Sequence, residues 1–202
     1  RSDGLKAKKS SGNHAVWISK DDFDYAAGIY QDDYGSFALE KPAQPNIIED
    51  VTHRRHILFV KPDYWLIIDE LQSQKPHNYQ LLFHSHPENE VAIEAQKTVI
   101  MKNIKKNTCL YLIPAESAKI QIDLKTGCKS PIQGWCSVDH HFKTPSTAVI
   151  YEIKNTQSTI ITTLVFPHQG ALLDNLIKIE PIEVTEGVGV AYEVGLKDGK
   201  DV

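Results

Sequence analysis

Short apolar runs broken by turn residues dominate the chain, and sustained helical periodicity is rare. Residues 55–60 and 64–69 flank Lys61-Pro62-Asp63, where proline presets one turn dihedral and aspartate tolerates the reversal. That pattern predicts a β-hairpin. Ile57, Leu58, Phe59 and Val60, then Trp65, Leu66, Ile67 and Ile68, are apolar on both alternating faces, as in central strands covered on both sides. In 78–84, Tyr79, Leu81 and Phe83 share one face and Gln80, Leu82 and His84 the other. Further strands are predicted at 91–95, 98–101, 109–113, 120–124, 148–153, 159–166, 177–184 and 188–194, with Pro114 closing the run 109–113. The expected fold is all-β, an antiparallel β-sandwich of two stacked, twisted sheets. Residues 1–13 read as flexible, 40–46 as a loop and 125–144 as irregular, with Trp135 and Phe142 anchoring that stretch on a sheet. Residues 171–176 are the one short helix candidate.

Bulk properties narrow this picture only modestly. A chain of 202 residues suits one β-domain spanning 1–202, and 41% hydrophobic with 24% charged residues is ordinary for a globular protein. The net charge of −4 argues against nucleic acid as a partner, and no apolar run is long enough to cross a membrane. A local pair such as Arg54–Arg55 still permits an anionic sugar. The start at Arg1-Ser2-Asp3-Gly4 carries no signal peptide and reads as a cut from something longer. Cys109, Cys128 and Cys136 form an odd set, leaving open either a Cys128–Cys136 disulfide across a turn or buried thiols.

His53-Arg54-Arg55-His56 is the densest cluster of reactive side chains. In an extended strand His53 and Arg55 share one face, and Arg54 and His56 the other. Guanidinium groups bind carboxylates and sulfates through paired donors, which suits an acidic polysaccharide. The structural alternative pairs the arginines with Glu49, Asp50 or Asp69. His84-Ser85-His86 puts two imidazoles on one strand face, a spacing that chelates zinc if a third ligand converges. Trp17, Tyr25, Tyr30 and Tyr34 suit either a sugar-stacking platform or ordinary packing. Asp21, Asp22, Asp24, Asp32 and Asp33 lack the spacing of a calcium loop. Serine-nucleophile elbows, phosphate loops and Cys-x-x-Cys motifs are missing from the sequence.

One ordered set of segments goes further. His53-Arg54-Arg55, the apolar run to Val60, then Lys61, Tyr64-Trp65 and Asp69 resemble the C-terminal β-domain of heparinase II/III-like polysaccharide lyases. Similar segments lie at Phe23 through Tyr30, at His77-Asn78-Tyr79 with Phe83-His84, at Pro131 through Ser137, and at Thr162 through Pro167. The resemblance implies a β-sandwich joined to an N-terminal α/α toroid, cleaving acidic polysaccharides such as heparin, heparan sulfate or alginate by β-elimination. It also implies a bacterial, periplasmic or secreted parent. The family's His-x-His-x-Asp-x-Gly strand has no match here, so no catalytic residue or metal ligand carries over. The chain is expected to hold no cofactor of its own, zinc being implied only for the complete parent. His53, Arg54, Arg55 and His84 remain as candidate substrate contacts, on a domain expected to be inactive alone. The rival reading is a non-catalytic carbohydrate-binding or scaffolding module; a metal enzyme centred on His84 and His86 is a third.

Overall fold

The computed structural model describes residues 15–32, 34, 48–140, 142–170, 177–184 and 189–196. The expectations for 1–13, 40–46 and 171–176 lie outside the described residues. The described strands are β1 (Ala15–Ser19), β2 (Phe23–Tyr30), β3 (Thr52–Val60), β4 (Tyr64–His84) and β5 (Asn89–Ile93). They continue with β6 (Val99–Asn103), β7 (Thr108–Pro114), β8 (Gln121–Thr126), β9 (Cys128–Lys129) and β10 (Ile132–Gln133). The last five are β11 (Trp135–Asp139), β12 (Phe142–Pro145), β13 (Thr147–Gln169), β14 (Ile177–Ile182) and β15 (Ala191–Leu196).

The main sheet runs β1-β2-β3-β4-β13-β7-β6-β5, with β8 also paired to β13, and its pairings are antiparallel. The expected hairpin joins β3 to β4, closed by the Asp63 amide donating to the Val60 carbonyl at 2.8 Å. The segments predicted separately at 64–69 and 78–84 belong to the single strand β4, and those at 148–153 and 159–166 to β13. The polar residues between them hid this continuity. Register shifts at 153–158 bend the β4–β13 ribbon there, and side chains stitch the bend together. The Asn155 amide donates to Asn78 Oδ1 at 2.9 Å, Gln157 Nε2 donates to the Gln74 carbonyl at 2.9 Å, and Asp50 accepts the Lys75 amide at 3.0 Å. Solvent reaches most of this bend, so polar residues are what it selects.

Beyond the bend, β8 replaces β7 as the neighbour of β13. Tyr79, Leu81, Val149 and Tyr151 then pack onto Leu71, Val99, Met101, Leu112 and Ile161 to form the principal core of the sandwich. Tyr151 Oη reaches across it to donate to the Leu112 carbonyl at 3.3 Å. A second core on the other face gathers Leu66, Tyr111, Ile113 and Leu164 with Ile179 of the β14–β15 hairpin. The stretch expected to be irregular contains two small hairpins, β9–β10 and β11–β12. Trp135 is half-buried and donates to the Cys128 carbonyl at 2.8 Å, but Phe142 is 68% exposed and anchors nothing. Its position near the tip of a two-stranded hairpin leaves no second layer to receive it. All three cysteines are free thiols, with Cys109 buried.

Candidate functional site

Directly opposed residues in an antiparallel ladder share a face. One row across the first four strands is therefore Trp17, Ala26, Ile57 and Ile67, and the next is Ala15, Gly28, Arg55 and Asp69. A third places Tyr30 beside His53 and Leu71. As the alternation predicted, His53 and Arg55 lie on this face, with Arg54 and His56 on the reverse.

Asp69 is fully buried on this face. Its carboxylate accepts Arg55 Nε at 2.7 Å and Nη2 at 3.0 Å, and His53 Nε2 sits 2.5 Å from Oδ1. Burial by itself would raise the Asp69 carboxyl; the His53 and Arg55 hydrogen bonds outweigh it and hold the group below the ordinary aspartate value. Arg55 uses two of its three nitrogens in this clamp, and its side chain remains 41% exposed. Next to it lies an open groove of about 340 Å³, bordered by Ala26, Gly28, Tyr30, His53, Arg55 and Ile57. Nothing lies within 4 Å of where a Gly28 Cβ would stand. The arrangement can offer a fixed guanidinium to an anion above a floor of small residues.

On the reverse face Tyr25 Oη is 2.7 Å from His56 Nδ1, and His56 Nε2 is 3.4 Å from Glu70 Oε1. Arg54 Nη1 donates to Glu70 Oε2 at 3.1 Å, with the two side chains 45% and 36% exposed. Such a pair contributes little. Arg54→Ala is expected to change unfolding free energy by less than about 0.5 kcal/mol in urea titrations. A loss above about 2 kcal/mol would show that this face is structural after all.

The remaining candidates stand apart. His84 is exposed beyond the bend, with Nε2 3.1 Å from Gln133 Nε2, and the His86 ring nitrogen Nδ1 accepts the Glu88 amide at 3.2 Å. Among the described residues no group of three or more His, Cys, Asp or Glu side chains is placed to hold a metal. Both oxygens of Asp69 are occupied by Arg55 and His53. The described residues around His84 and His86 therefore do not fit zinc. Tyr34 is buried and meets Tyr30 edge-on at 5.3 Å, so it packs; Trp17, at 71% exposed, does not. The grouping of the aromatics is legible in the sequence but their register with Arg55 is not, because neither β1 nor β2 is among the predicted strands.

Comparison with known proteins agrees with this architecture. The solved heparan sulfate lyase HepC from Pedobacter heparinus is similar over 85% of this chain, with 14% identity and a TM-score of 0.62. Two structures described as heparinase III are similar over 95% and 96%, at 15% and 11% identity and TM-scores of 0.66 and 0.63. These likenesses show a shared fold. The matched region is 23% of the first of those chains, 27% of the second and 28% of the third, so this chain spans about a quarter of their length. No curated protein sequence matches it. The family described as "Heparinase II/III-like, C-terminal" matches residues 48–164, more than half of the sequence and nearly all of the β3-to-β13 framework, and the chain belongs to that family.

Proposed function

We propose that this chain is the C-terminal β-sandwich of a larger lyase that cleaves uronate-containing polysaccharides, and that it is inactive alone. The observation that carries this reading is the family match over 48–164 in a chain spanning only about a quarter of its structural neighbours. In β-elimination a base removes the C5 proton, the C4–O bond breaks, a C4–C5 double bond forms, and an acid protonates the departing oxygen. The uronate carboxylate must also be neutralised. The described residues supply a positioned cation in Arg55, flanked by His53, for the last requirement. Around that groove the described residues able to carry a proton are His53, already engaged with Asp69, and Tyr30, which packs edge-on against Tyr34. The sandwich would instead support a cleft completed by a helical toroid, in a bacterial parent exported to the periplasm.

The test compares the 202-residue chain with the longer polypeptide that contains it, on heparan sulfate and on alginate. Unsaturated uronate products are followed by their ultraviolet absorbance. Product is expected from the longer polypeptide only. Robust product from the short chain would overturn the claim of inactivity, and silence from the longer polypeptide on every uronan tried would overturn the lyase assignment.

A further inference from the structure

We infer that the β1–β2–β3 face holds a two-sugar subsite, in which Trp17 stacks on one pyranose while Arg55 binds the carboxylate of its neighbour. This deepens the proposal above and rests on it for the identity of the ligand, a uronate-containing glycan.

Three features converge on the same open surface. Trp17 is the most exposed of the described face-sharing aromatics, at 71%, and its row places it beside Ala26 at the groove edge. An indole face held in water at that level costs hydration free energy unless something apolar covers it, and the C–H face of a pyranose is such a surface. Arg55 is fixed by Asp69, so an anion meets a guanidinium whose direction is already set and whose ordering cost has been met in folding. Between them the floor is Ala26 and Gly28, with open space above the glycine. Any larger side chain there would separate the two contacts. Since β1 and β3 flank β2 and Arg55 lies one row along from Trp17, the two stand about 12 Å apart, comparable to the length of a disaccharide.

The charge pattern selects the orientation. Arg55 and Asp69 cancel as a pair, but the carboxylate is buried and the guanidinium is not, so a ligand approaching from solvent meets the positive end. His53 lies on the same side of Arg55 as Tyr30, which places the aromatic rim and the imidazole around the anion end of the groove.

The test uses an unsulfated uronate–hexosamine tetrasaccharide and its carboxyl-reduced counterpart, titrated calorimetrically into the 202-residue chain. The uronate probe is expected to bind, and the reduced probe to bind about tenfold more weakly, as for loss of one charge-assisted contact. Trp17→Ala and Gly28→Leu should each weaken the uronate probe about fivefold or more. Arg54→Ala, on the reverse face, should leave it unchanged. Both groove variants alter exposed or open positions, and their circular dichroism should match the parent chain. Absence of uronate binding, equal binding of the two probes, or indifference to both groove variants would overturn the subsite. If these variants behave as expected while the longer polypeptide cleaves no uronan, the lyase reading fails and the subsite stands; the converse result removes the subsite alone.

Discussion

Asp69→Ala is expected to lower unfolding free energy by about 3 kcal/mol at neutral pH, the lower part of the range for breaking a buried ion pair. The loss arises because Arg55 and His53 both direct donors at a carboxylate that water does not reach. It stays toward the lower part because Arg55 is 41% exposed and rehydrates in part. Asp69→Asn keeps the shape and removes the charge, so it separates electrostatics from packing and should lose nearly as much. The sign with pH follows from the depressed carboxyl. Asp69 contributes its full stability above the ordinary value of 3.8 and loses it as pH falls through the lower folded value. The gap between parent chain and Asp69→Asn should therefore narrow in urea titrations carried below pH 3.8. A variant within about 1 kcal/mol of the parent at neutral pH would show that the clamp does not hold β3 to β4.

That clamp also shows how far the sequence could be read. The Lys61-Pro62-Asp63 turn pairs Val60 with Tyr64, and this alone sets Arg55 opposite Asp69 and Arg54 opposite Glu70. The parity of His53 to His56 was readable because it needs only an extended backbone. The groove was not. In Phe23 to Tyr30 the apolar residues do not alternate, and Ala26, Ala27 and Gly28 are too small to declare a buried face. Only the observed register of β1 on β2 brings Trp17 into the row that contains Ile57, next to that of Arg55. The bend was hidden for another reason: Gln72 to His77 and Lys154 to Ser158 look like loops by composition, yet they belong to strands that run through solvent between the two layers.

The segment from Pro131 to Ser137 resembles the family as a string, and its glycine has a physical reason. Gly134 has φ of +74°, and a Cβ there would stand 2.1 Å from the Lys125 carbonyl oxygen and 2.7 Å from that of Ser146. Both contacts are backbone, at the end of β8 and just before β13, and neither can swing aside. The Gly134 carbonyl also accepts the Gly127 amide at 2.8 Å and the Ser146 amide at 3.0 Å, so the residue is pinned from both sides. Gly134→Ala is expected to cost more than about 3 kcal/mol, combining left-handed backbone strain with displacement of paired strands. The damage should be visible in position: Gln133 is buried beside His84, so amide exchange at His84, Ser85 and Ser146 should accelerate first. Gly127→Ala meets the Pro145 side chain at 3.3 Å with φ of +61° and should lose less, about 1–2 kcal/mol. Gly28→Ala enters open space and should be close to neutral. Thermal unfolding of the three variants checks this order, and a Gly134→Ala protein as stable as Gly28→Ala would mean that the β8–β13 junction yields where the observed backbone leaves no room.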